Sequence, residues 1–238
     1  MKVFFKHINT LSVYGFKDYL SVFKSQGIRF LEGNYVVITF DDGYKGVLND
    51  AFPAMERHGF KGIVFVVTGY LGFKSNWDVP FLSPLQHLDS KEIKFLSDNG
   101  WLVGSHSHTH KDLTSISYQE LMNEVITSKK ILEDITGSEI SLFSYPFGKY
   151  NRKVQDALLE AGYKYAFKSS AFYLDFSNPM AIPRRSIYLS DFDLGLKIDP
   201  FYRYIEIFKE TISNSLAYLS PIYLKLLKST NSKPGYDQ

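Results

Sequence analysis

The chain has 238 residues, a formal net charge of +2 and no cysteine. Near-neutral charge gives no electrostatic footprint for nucleic acid. The missing cysteines exclude disulfides, a thiol nucleophile and thiolate metal ligands, so any metal must rest on histidine and carboxylate.

In chain order, Met1-Lys-Val-Phe-Phe-Lys-His-Ile has no apolar h-region and no small-residue cleavage site, which sets the expectation of a cytoplasmic protein. Phe16–Gly27 carries apolar residues at helical spacing and a glycine stop, and reads as a helix. Tyr35–Phe40 is a continuous apolar run that fits a buried strand, followed by a helix over Gly46–Arg57. A second buried strand is expected over Gly62–Thr68, and Gly69–Pro84, around Trp77, reads as a loop. Asp89 is placed to cap a helix that stops at Gly100, and Trp101–Gly104 is a third strand. Ser117 with Glu120 forms a capping-box pattern that opens a long helix ending at Thr136-Gly137. Strand Ile140–Tyr145, helix Asn151–Ala161, strand Tyr163–Phe167 and strand Ile182–Leu189 follow. The tail, Phe201–Lys228, is helical in pattern, and its basic amphipathic part is a place for peripheral membrane or partner contact. No run of 18 apolar residues occurs, so no spanning helix is expected. Strands alternating with helices predict a parallel sheet with covering helices, either open or closed into a barrel. An aromatic share of 16% reads first as core packing.

Ligands of parallel α/β folds collect at the C-terminal ends of the strands. Asp41-Asp42, His106-Ser-His108-Thr-His110 and Tyr145–Gly148 fall at such ends, and Arg184-Arg185 is a fourth candidate segment. Three of the six histidines lie within five residues. A helical turn would put His106 and His110 on one face with His108 turned away, so His106 and His110 are the expected ligand pair. Two histidines and one carboxylate with open positions suit zinc and related ions. Adjacent aspartates at a strand end point in different directions, so one can ligate while the other faces substrate. The chemistry these groups imply is hydrolysis by an ion-activated water, with an aspartate taking its proton.

These residues resemble the polysaccharide deacetylase family, also known as the NodB-homology or carbohydrate esterase 4 family. Its T-F-D-D-G motif stands at Thr39–Gly43, and its H-(S/T)-x-x-H motif at His106–His110. Its third motif, commonly R-x-P-x-G, is Ser144-Tyr-Pro-Phe-Gly148 here, a form similar to the poly-N-acetylglucosamine deacetylase branch. The resemblance implies a distorted (β/α) barrel of about seven strands, with one deacetylase domain over 1–238. The motif-bearing core would span about 30–200 and the helical tail about 201–228. It implies Asp41 as general base, and Asp42, His106 and His110 as ligands of a divalent ion, zinc foremost, with cobalt, nickel or iron(II) as other occupants. The Phe147 backbone N–H would face the oxyanion. Arg184, directly after Pro183, would orient Asp41 in place of the missing third-motif arginine. Tyr145, Pro146 and Trp77 are expected at the substrate. The family's final L-x-H motif is matched at Leu194-Gly-Leu196, where no histidine stands. His108, Lys197, a water or protonated Asp41 would then supply the leaving-group proton. The implied activity is removal of acetyl groups, N-acetyl foremost, from a sugar or polysaccharide. The alternatives are an amidase or deformylase on a lipid-linked or small sugar, or a glycan-binding pseudoenzyme.

Overall fold

The computed structural model describes residues 8–12, 36–57, 59–75, 85–169 and 177–187. The expected helix over 16–27, Trp77, the Leu194–Lys197 stretch and the tail 201–228 lie outside the described residues. Seven strands form a closed barrel in sequence order: β1 (Ile8–Ser12), β2 (Val36–Phe40), β3 (Gly62–Val66), β4 (Leu102–Ser105), β5 (Leu142–Ser144), β6 (Tyr165–Ser169) and β7 (Ile182–Ile187). β2 to β7 run parallel. β1 is antiparallel to both neighbours, pairing Ile8 with Phe40 on one side and with Ile187 on the other, and so closes the barrel. This strand is an addition to the sequence-based expectation. Its five residues, Ile-Asn-Thr-Leu-Ser, alternate too weakly to stand out.

Four α-helices are described: α1 (Phe52–Arg57), α2 (Ser90–Asp98), α3 (Tyr118–Thr136) and α4 (Arg152–Glu160). α1 continues a π-helical turn over Val47–Ala51. α2 opens with a reciprocal capping box, Glu92 N donating to Asp89 Oδ1 at 2.9 Å and Asp89 N to Glu92 Oε2 at 2.8 Å. α3 keeps half of its expected box. The Ser117 hydroxyl accepts from Glu120 N at 3.2 Å, but the Glu120 carboxylate takes Lys111 Nζ at 2.6 Å. Gly137 ends α3 with φ 71°, the left-handed conformation that glycine adopts freely. No helix among the described residues is long and apolar enough to cross a membrane.

Side chains alternate between the two faces of each strand, and the two faces differ in chemistry. Outward residues such as Phe40, Val64, Val66, Val103, Phe143 and Ala166 join Trp101, Leu121, Val125 and Leu158 in the apolar core beneath the helices. The inward set mixes aromatic and polar groups. Phe65 of β3 and Phe167 of β6 lie 5.3 Å apart. Arg184 of β7, 1% exposed, stacks over both rings at 5.2 and 5.7 Å. Gly104 of β4 leaves room for this packing, since a Cβ there would sit 2.5 Å from the Phe65 ring.

Candidate metal and catalytic site

The turn after β2 begins the site. Asp41 continues the inward alternation of Thr39 and meets Arg184. The guanidinium donates to both Asp41 oxygens at 2.8 Å, Nη1 to Oδ1 and Nη2 to Oδ2. It also donates to Thr39 Oγ1 at 2.9 Å and to Ser144 Oγ at 2.7 Å. A planar fork held by four acceptors has one orientation, and a buried arginine needs that many partners. The sequence offered two adjacent arginines, and the structure brings Arg184 to Asp41.

Asp42 turns away from its neighbour because its backbone is left-handed, with φ 68°. Its Oδ1 lies 3.6 Å from His106 Nε2 and 3.4 Å from His110 Nε2, and one donor atom from each of the three residues falls within 4.8 Å of the others. All three are buried, at 6%, 3% and 9% exposure. Donors bonded at about 2.0–2.1 Å to one tetrahedral ion stand roughly 3.3–3.4 Å apart, so this set fits a small divalent cation. The His106 tautomer fits as well. Its Nδ1 lies 2.7 Å from the Ser144 carbonyl, which can only accept, so Nδ1 carries the proton and Nε2 presents a lone pair to the site. The donor atoms of Asp42, His106 and His110 therefore form a group that could hold a divalent ion.

Strained backbone clusters here. The non-glycine residues with positive φ among those described are Asp42 (68°), Ser107 (67°), His110 (58°) and Phe147 (58°). Each such conformation costs about 1–2 kcal/mol, and all four belong to the turns that present the site. The histidines are thus not on a helical turn. A loop with two left-handed residues aims His106 and His110 together, while His108 turns aside and bonds Thr68 Oγ1 through Nδ1 at 2.9 Å. Phe147 lies in the turn Pro146–Gly148 with its ring 4.6 Å from that of His110. The next two amides bond back, Gly148 N to Tyr145 O at 2.9 Å and Lys149 N to Pro146 O at 3.1 Å. The Asp112–Lys149 ion pair, 3.0 Å, ties the loop after β4 to the turn after β5.

Two residues expected at the substrate have buried side chains. Tyr145 follows the inward Ser144 and so points outward. It is 2% exposed, its hydroxyl donates to the Met180 carbonyl at 2.6 Å, and its ring stacks on Tyr150. Burial, and then the neighbouring Tyr150, push its phenol well above the ordinary tyrosine range. Pro146 is buried at the start of its turn. Both side chains are buried in the packing of the fold.

Two residues that sequence reasoning passed over also reach the site. His87, 0% exposed, has Nδ1 2.8 Å from the Asp42 carbonyl, to which it donates. Its segment straps the Asp-Asp-Gly turn through Leu88 N to Gly43 O and Lys45 N to Gln86 O, both 2.8 Å. It lies in a stretch with no periodic signal. Glu124, 3% exposed, accepts from the loop between the two histidine ligands. Its signal was available: Glu124 falls on the buried stripe Leu121, Val125, Ser128, Leu132 of α3, where a carboxylate needs a partner.

A polysaccharide deacetylase family model matches residues 31–166, more than half of the chain. The chain belongs to the polysaccharide deacetylase family. YxkH of Bacillus subtilis (strain 168) is 30% identical over 129 residues, 54% of this chain and 42% of that protein. The poly-β-1,6-N-acetyl-D-glucosamine N-deacetylase of Staphylococcus aureus (strain MRSA252) is 26% identical over 168 residues, 66% of this chain and 54% of that protein. The chain thus spans about half the length of these curated relatives. Among solved structures, IcaB from Ammonifex degensii aligns with a TM-score of 0.58 at 19% identity, over 75% of this chain and 84% of that one. That likeness shows the deacetylase fold. The family's distorted barrel of about seven strands is therefore the architecture found, and Asp42, His106 and His110 form a group that could hold a metal ion at its mouth.

Proposed function

We propose that the chain is a metal-dependent hydrolase that removes acetyl groups, N-acetyl foremost, from an amino-sugar glycan. The observation that carries this reading is the Asp42–His106–His110 cluster standing beside an aspartate locked by a buried arginine. The name of the S. aureus relative supports an N-acetylglucosamine-containing substrate, as does the Ser-Tyr-Pro-Phe-Gly form of the third motif.

Asp42, His106 and His110 hold the ion. Zinc is the proposed occupant, since the donors are nitrogen and oxygen without sulfur and leave positions open. When bound, the ion supplies a Lewis acid and a water of lowered pKa. A carboxylate oxygen of Asp41 would take the proton of the attacking water. Arg184 fixes Asp41 in one rotation by gripping both oxygens. The Phe147 amide donates to the oxyanion that forms as the acetyl carbon is attacked. Position 196, where the family's donor histidine stands, is leucine. We assign the leaving nitrogen its proton from Asp41, which has just received one. Acetate release from chitooligosaccharides and a panel of other acetylated sugars, with added zinc or cobalt, tests the proposal. Release is expected, and a metal-loaded chain that frees no acetate from any of them would sink it.

A further inference from the structure

The ligand loop can be accounted for amide by amide. His106 N donates to Val66 O at 2.9 Å, Ser107 N to Ser105 Oγ at 3.2 Å, and His110 N to Ser107 Oγ at 3.0 Å. These partners come from strands or from the loop itself. The two central amides do otherwise. His108 N and Thr109 N both donate to Glu124 Oε2, at 2.9 and 2.7 Å, while the Thr109 hydroxyl donates to Oε1. On the opposite side of the loop, Gly69 N donates to His108 O at 2.7 Å. Glu124 comes from α3, whose Ser128, one helical turn on, anchors β4 through Ser105 Oγ at 2.7 Å.

The loop reverses direction through left-handed Ser107 and His110, and the two residues between them are the ones Glu124 grips. Without that grip, two partly buried amides and a hydroxyl lose their acceptor, and extended backbone becomes the easier state for both left-handed positions. The His106 and His110 rings would then no longer be held on one point.

We propose that Glu124 is a positioning residue for the metal site: its buried carboxylate on α3 fixes the loop that aims His106 and His110 at the ion. This rests on the reading of Asp42, His106 and His110 as metal ligands. The Glu124 carboxylate is taken up by the His108 and Thr109 amides and the Thr109 hydroxyl, and so acts through the geometry of the loop.

The test is zinc affinity by competition with a chromophoric chelator, alongside thermal unfolding of the metal-free protein. Glu124→Ala is expected to weaken zinc binding about 10- to 100-fold, the range typical for groups that orient ligands. Glu124→Gln keeps an oxygen for the two amides and an NH2 that the Thr109 hydroxyl can accept, so it is expected to stay near wild-type affinity. Glu124→Asp keeps the charge but shortens the reach, and is expected to weaken binding. It carries the test should the alanine variant not fold. A residue that only stabilises α3 would lower the unfolding temperature and leave the affinity of the folded protein unchanged. Folded alanine or aspartate variants with wild-type zinc affinity would therefore overturn the inference. A wild-type chain that binds no zinc would overturn the ligand assignment, and this inference with it.

Discussion

Replacing Arg184 with methionine isolates the most strongly coupled contact in the barrel. The methionine stem can occupy the slot between Phe65 and Phe167, so little cavity is expected. What is lost is charge and four hydrogen bonds: two to Asp41, one to Thr39 and one to Ser144. The Asp41 side chain is 11% exposed and would be left as a buried carboxylate without its cation. Removing one partner of a buried pair costs about 3–5 kcal/mol, or roughly 6–20 °C in unfolding temperature for a chain of this size. Arg184→Lys should fall between, because a single ammonium cannot bridge both carboxylate oxygens. Adding Asp41→Asn to Arg184→Met should recover part of the loss, since the stranded charge is gone. The assay is urea and thermal unfolding of the metal-free protein, as a bound ion would mask the change. An Arg184→Met variant within about 1 kcal/mol of wild type would refute the reasoning, because ordinary surface changes are that small.

Gly104→Ala places a methyl 2.5 Å from the Phe65 ring and 3.0 Å from the Leu142 carbonyl. A destabilisation of about 1–3 kcal/mol is expected by urea denaturation, partly recovered by Phe65→Leu. Asp112 gives a pH signature. Burial works to raise its pKa, yet the Thr114 hydroxyl, Lys149 and the Thr114 amide together bring it below the ordinary carboxylate value. A depressed folded pKa contributes stability above the unfolded value of about 4 and loses it as pH falls through the folded value. Urea midpoints of Asp112→Asn should therefore fall less steeply than those of wild type below about pH 4. Equal slopes would show that the Lys149 contact does not hold the carboxylate in solution.

The strand-end motifs were legible because chemistry and period coincide there: a buried apolar run stops at Asp41-Asp42, and another runs into His106–His110. The six parallel strands follow from alternation with helices. β1 was not legible, since an antiparallel closing strand needs no helix beside it and leaves no mark in the pattern. The burial of Tyr145 was not legible, because a motif position says that a residue is near the site, while strand alternation decides which way it points. Arg184 was selected by its place after Pro183, but its four partners come from β2 and β5 and exist only once the barrel closes. His87 and Glu124 act on backbone atoms, which no motif records. Glu124 alone had a readable mark, a charge on an otherwise uncharged buried helix stripe.

The central claim separates the two adjacent aspartates from each other and from the histidines. It is tested most directly by measuring bound zinc and acetate release on the same preparations of wild type, Asp41→Asn and His106→Ala. The account predicts about one zinc per chain and turnover for wild type, full zinc without turnover for Asp41→Asn, and loss of both for His106→Ala. An Asp41→Asn protein that loses its zinc, or a His106→Ala protein that keeps zinc and activity together, would contradict it.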